Sequence, residues 1–250
     1  MSVEEEISPD TGEITAEKDI SIPAKLAAVV LDPKKLFRAV AARPRWVPPV
    51  LVLMGVALVF AFLTRPVIIE EMGTGKQMER VIEQRNLSDE EAARAIELQK
   101  GIAKWGILVS APLTEVVTVV VMAVILLFVG NVLMGGSAAF VAILSAYAWA
   151  RLINVLGYAA KIPLILHTKS IQVTLSPAIL LPTNASDSLF YAVLSVFDIF
   201  HVWEAVLTCI AMAAVYKISL QRSVGFVGTL YVVLAAVGIL LRELFHTGGV

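Results

Sequence analysis

The chain has 250 residues, of which 58% are hydrophobic and only 16% charged, and its mean hydropathy is +0.82. That apolar share is too high for an ordinary soluble domain, so most of the chain has to live in lipid. A formal net charge of −1, with basic and acidic residues interspersed, excludes a nucleic-acid binder, which needs a basic surface.

Residues 1 to 25 open on Glu4, Glu5 and Glu6 and mix acidic residues with Ser, Thr, Gly and Pro. They lack the basic start and short apolar core of a cleavable secretory signal and read as a disordered acidic tail, which leaves targeting to the first span. Residues 26 to 45 read as an interfacial amphipathic segment. Asp32 caps a helix with Pro33 at its first position, and Leu36, Phe37 and Val40 fall on one face with Lys34, Lys35 and Arg38 on another. Together with Arg43 and Arg45 these make a basic cluster that faces lipid beside the first span, drawn to anionic headgroups by roughly 1 kcal/mol per charge. A topology anchor without lipid preference is the competing reading.

Residues 46 to 241 form an all-α integral membrane bundle of five transmembrane helices, with spans at about 47–64, 107–129, 138–160, 190–215 and 224–241, and residues 242–250 are a C-terminal tail. Trp46 and the Pro48–Pro49 pair open the first span, and Arg65 with Pro66 stop it. Ser88 and Glu91 make a capping box, so an extramembrane helix starts near Asp89 and runs into the second span. Met134-Gly135-Gly136-Ser137 is a tight turn into the third. The stretch from His167 to Ser188 reads as a packed or partly re-entrant loop, and its Asn184-Ala185-Ser186 fits a glycosylation sequon. Five spans put the termini on opposite sides. Lys and Arg number nine on each side, so orientation rests on the basic cluster packed against the first span, which places the N-terminus in the cytoplasm.

Three apolar stretches carry lone charges: Glu115, Arg151 and Asp198. An isolated charge in hydrocarbon costs several kcal/mol, so these side chains should converge inside the bundle. At 1.5 Å per residue, Glu115 lies about 12 Å from Ile107, Arg151 about 13 Å and Asn154 about 9 Å from Ala160, and Asp198 about 12 Å from Phe190. The expected site is an intramembrane polar cluster in which Arg151 bridges Glu115 and Asp198 while Asn154 adds donors and an acceptor. An interhelical clamp is the plainer reading of the same residues. Asp198, His201 and Glu204 recur every three residues on the fourth span and extend the cluster. A second Glu-x-x-His and any HExxH are missing, so no metal and no cofactor are expected, and His201 should only hydrogen-bond to a carboxylate neighbour. Ser145 and Ser195 have no Gly-x-Ser-x-Gly setting, which argues against a hydrolase and, with the rest, against an enzyme. Cys209, the single cysteine, forms no intrachain disulfide and should be buried as a small hydrophobe.

Several short motifs, in this order and spacing, carry a likeness: Asp32-Pro33 with Phe37, Arg43-Pro44-Arg45-Trp46 before a proline-led first span, Ser145-Ala146-Tyr147 in the third, and Asp198-Ile199-Phe200 with Trp203 and Leu207 in the fourth. Over about residues 30 to 241 the chain resembles the bacterial branch of the Yip domain family, named for its Ypt/Rab-interacting eukaryotic members. The resemblance implies a five-span fold with a cytosolic N-terminus, located here in a bacterial inner membrane. It implies a role in membrane organisation, or beside ABC-type efflux systems as an accessory subunit, and brings no catalytic residues. Where members often have a proline four residues after the third-span tyrosine, this chain has Arg151, which marks the charge cluster as a subgroup feature.

The function expected is therefore a non-enzymatic membrane protein that binds lipids and a membrane-protein partner or a second copy of itself, with residues 65 to 106 docking the partner. The alternative is a transporter or channel subunit that uses Glu115, Arg151 and Asp198 as its polar site. The absence of an evident inverted repeat argues against a secondary transporter.

Overall fold

The computed structural model describes residues 21–74, 82, 83, 85–182, 185 and 188–247; most of the acidic tail, and Asn184 and Ser186 of the sequon, lie outside the described residues. Among the described residues every regular element is a helix, and five helical segments are long and apolar enough to cross a membrane: Val47–Glu71, Asp89–Leu133, Phe140–Thr168, Ile199–Tyr216 and Leu220–Leu244.

Two short helices precede the first span. Helix α1 is Ile22–Leu31, and α2 is Pro33–Ala42, capped by the Asp32 carboxylate, which accepts from the Lys35 amide at 3.1 Å. The polar-to-apolar boundary therefore falls earlier than residue 25, because the apolar run from Ile22 already supports a helix. The amphipathic α2 does not lay its apolar face in lipid. Leu36, Phe37 and Val40 are fully buried against the helix bundle, chiefly α8 and α5 defined below, while Lys34, Lys35, Arg38, Arg43 and Arg45 stay exposed.

Helix α3, Val47–Thr74, passes through Arg65 and Pro66 without stopping. A proline is tolerated within a membrane helix, and the Arg65 guanidinium lies over the Phe62 ring at 5.5 Å, so neither residue ends it. Helix α4, Asp89–Leu127, starts at the Ser88–Glu91 capping box and continues as a π-helical turn, Phe128–Leu133. Its length of about 58 Å is nearly twice the ~30 Å hydrocarbon thickness. The turn into the third span has Gly135 at φ +71° and is closed by the Asn131 side chain, which donates to the Ala138 carbonyl and accepts from its amide. Beside that turn, a Cβ on Gly130 would overlap the Tyr216 ring, and one on Gly136 would lie 2.6 Å from it, so the two glycines let the end of the fourth span close in.

The third span is two helices in near-continuity, α5 (Phe140–Arg151) and α6 (Asn154–Thr168). It runs past residue 160, the end read from sequence, and Pro163 sits inside α6. The fourth stretch is broken: α7 (Leu189–Ser195) ends at a turn, and α8 (Ile199–Tyr216) begins at Asp198. Helix α9, Leu220–Thr247, is the last of the described helices. Between α6 and α7 the loop tucks in a 3-10 turn, Pro177–Leu180, with Ala178 buried.

Helix α3 packs most extensively on α4 and also along α6, running parallel to α6, as the Phe60–Tyr158 ring contact and the Glu71–Ser170 hydrogen bond show. The densest core lies where α2, α5 and α8 meet, around Phe37, Ile143, Tyr147, Trp149, Leu207 and Met212. Trp149 donates its indole N–H to the Arg45 carbonyl at 3.2 Å, fixing the link between α2 and α3 to the bundle. Helix α9 touches chiefly α8 and is the least enclosed span.

Candidate functional site

Tyr147, Arg151, Asn154 and Tyr158 follow one another at spacings of four, three and four, which places them along one face of the third span. The α5–α6 junction between them is tightened: Leu152, Ile153, Val155 and Leu156 all donate to the carbonyl three residues back. This 3-10-like step lets Arg151 and Asn154 reach the same neighbour.

That neighbour is Glu204 on α8, not Asp198. Its Oε1 accepts from the Tyr147 hydroxyl at 2.6 Å and the Tyr231 hydroxyl at 3.3 Å. Its Oε2 accepts from Arg151 Nη1 at 3.3 Å and from Asn154 Nδ2. A carboxylate offers about four acceptor positions, so Glu204 is saturated. Glu115, on α4, accepts from Arg151 Nε at 2.8 Å through Oε2 and from the Tyr158 hydroxyl through Oε1. Thr208 joins the Glu204 carbonyl at 2.8 Å to the Tyr231 hydroxyl at 3.2 Å. One network thus ties α4, α5, α6, α8 and α9 together, with Arg151 14% exposed at its centre and both acids buried.

Asp198 stands apart. Read from sequence as the second partner of Arg151, it lies in the break before α8, where its carboxylate accepts from the Phe200 amide at 3.0 Å and caps the helix. Its other oxygen pairs with Lys161 Nζ at 2.9 Å, a smaller bridge between α6 and α8 that the sequence reading missed. Where these helices cross, a Cβ on Gly157 would approach Phe200 to 3.2 Å, so the glycine keeps them close. His201 is on the exposed side of α8, where its charge acts on Asp198 but it makes no hydrogen bond to that carboxylate, contrary to the one expected. Among the described residues, no three of His, Cys, Asp and Glu come near enough to hold a metal ion. Cys209 is buried and free.

The sequence reading therefore brought together Glu115, Arg151, Asn154 and Glu204, misplaced Asp198 and His201, and missed four tyrosine and threonine partners: Tyr147, Tyr158, Tyr231 and Thr208. A signal for Glu204 was present. The third and fourth spans are antiparallel, and from their ends at Phe140 and Tyr216 the residues Arg151 and Glu204 lie about 17 Å and about 18 Å in.

The chain matches no curated protein and no solved structure in comparison. A family model, the Yip1 domain, matches residues 27–241, which takes in α2 to α8, half of α1 and most of α9. With its five apolar helices, the chain is an integral membrane protein that belongs to the Yip1 domain family.

Proposed function

We propose that this protein is a non-enzymatic, membrane-organising or accessory subunit that holds a partner membrane protein at one face of the bilayer and anionic lipid at the other. The observation that carries this reading is the overhang of α4. If the apolar stretch from about Ile107 fills the bilayer, residues 89–106 project about 27 Å beyond it. On that arm Leu98, Ile102 and Trp105 are 67%, 67% and 66% exposed and lie on one face at spacings of four and three. Arg94, Glu97 and Lys104 flank them, an arrangement suited to an apolar groove with a charged rim. The family resemblance brings an ABC-type transporter to the arm as the partner class. The exposed basic side chains of α2 and its following linker favour a cytoplasmic N-terminus, in a bacterial inner membrane, and an anionic leaflet beside them.

The intramembrane network is, on this reading, a clamp. Supporting it are the saturation of Glu204 and the engagement of Asp198 with Lys161 and a helix cap, which leave the transport reading without one of its three residues. A photo-crosslinking residue placed at Leu98 or Ile102 in native membranes should capture one discrete partner, and Leu98→Glu with Ile102→Glu should abolish the capture. Absence of any adduct, or a steady ion flux from the purified protein in liposomes, would count against the proposal.

A further inference from the structure

Helix α1 is built inside out. Its sequence, Ile22 to Leu31, has one charge, Lys25, and that residue is only 3% exposed. Val29, one turn later on the same face, belongs to the bundle core, so the Lys25 face is the one turned toward the protein. Ile22, Leu26, Val30 and Leu31 are exposed on the other side. In water such a helix would turn its charge outward and its leucines inward; the reverse arrangement is what a lipid environment selects. At ten residues α1 is about 15 Å long, half of what a span requires, so it can lie in a leaflet but not cross it.

The adjoining α2 has the opposite polarity. Its apolar residues are spent on the bundle, and Lys34, Lys35 and Arg38 face outward. Asp32 separates the two helices by a single capping residue, and they pack on one another. One helix of the pair presents apolar side chains outward and the next presents cations, the combination by which peripheral helices hold anionic bilayers. Bundle, α2 and α1 are continuous, so the leaflet that surrounds the spans is the surface α1 meets.

We infer that α1 is a leaflet-inserted wedge, with Ile22, Leu26, Val30 and Leu31 among acyl chains and the cationic face of α2 at the phosphates of anionic lipid. The wedge rests on the lipid-binding half of the proposed function and is independent of the partner-docking arm. It also relocates the interfacial element from α2, where the sequence pattern put it, to α1.

The full-length protein is suited to the test because Cys209 is its single cysteine. In a Cys209→Ala background, Leu26→Cys, Val30→Cys and Lys35→Cys would each be labelled with an environment-sensitive fluorophore and reconstituted in phosphatidylcholine–phosphatidylglycerol vesicles. These three positions are exposed, so the substitutions leave the core intact. Probes at residues 26 and 30 should be blue-shifted, quenched by acyl-chain-brominated lipid and largely lose quenching by aqueous iodide, while the residue 35 probe should show the reverse. Iodide quenching at 26 and 30 equal to that at 35 would overturn the wedge. So would protection from both quenchers, which would mean that a second copy or another segment of the chain covers α1. The readout concerns only where α1 lies, so its failure would leave crosslinking at Leu98 unaffected, and failure of crosslinking would leave the wedge standing.

Discussion

Replacing Arg151 with leucine strands two buried carboxylates, and it strands them unequally. Glu204 would keep Tyr147, Tyr231 and Asn154 as donors, three of its four. Glu115 would keep Tyr158 alone, having lost its 2.8 Å contact to Arg151 Nε. Breaking a buried ion pair by removing one partner costs about 3–5 kcal/mol, because the remaining charge is left in a poorly solvating interior. The expected loss for Arg151→Leu is of that order, and adding Glu115→Gln should recover most of it. Glu204→Gln in the same background should recover less, since an amide there would turn an NH2 group toward donors that an oxygen now receives. The assay is reversible denaturant unfolding in detergent micelles followed by tryptophan emission, run as a double-mutant cycle for both pairs. An Arg151→Leu variant within about 1 kcal/mol of wild type would refute the clamp, as would better rescue by Glu204→Gln than by Glu115→Gln.

At the α6–α8 bridge, Asp198→Ala should destabilise by about 1 kcal/mol for the lost cap, with a further small loss from Lys161, whereas Asp198→Asn should retain most of the capping; the same unfolding assay separates them. Gly130→Ala, which drives a methyl group into the Tyr216 ring, should cost about 1–3 kcal/mol, and Tyr216→Ala should remove the additional cost of that methyl; equal effects of Gly130→Ala in both backgrounds would exclude the contact as the cause. Converting Lys34, Lys35 and Arg38 together to Gln should lower the preference for anionic over zwitterionic vesicles in lipid-exchange measurements without changing the unfolding midpoint, because none of the three side chains is in the core. An unchanged lipid preference would assign these residues to topology alone.

What could be read without coordinates was whatever depends on local chemistry. The Ser88–Glu91 box and the Asp32–Pro33 start are contacts between residues three or fewer apart, so the sequence contains both partners. Arg151 and Glu115 were identifiable as convergent because hydrocarbon permits no other disposition of a lone charge. The breaks were harder. Arg65 and Pro66 look like a terminus, yet α3 continues, and the fourth apolar stretch looks continuous, yet it parts at Val196–Asp198. Hydropathy is nearly indifferent to either outcome; packing decides it.

The amino-acid order alone thus determined that this is a five-helix membrane bundle, where its helices are capped, and that its third span carries a charge needing an acid. Tertiary structure decided which acid. Asp198 had a local alternative, the backbone amides at the start of α8 and the Lys161 ammonium, that exists only once the helix breaks and α6 lies beside it. Glu204, deep on α8 with no such outlet, is met by hydroxyls and amides from three other helices. Tertiary structure likewise decided that α1 and not α2 turns its apolar side outward, since the direction of a side chain on a short apolar helix depends on the face its neighbours occupy, and a linear sequence carries no record of that face.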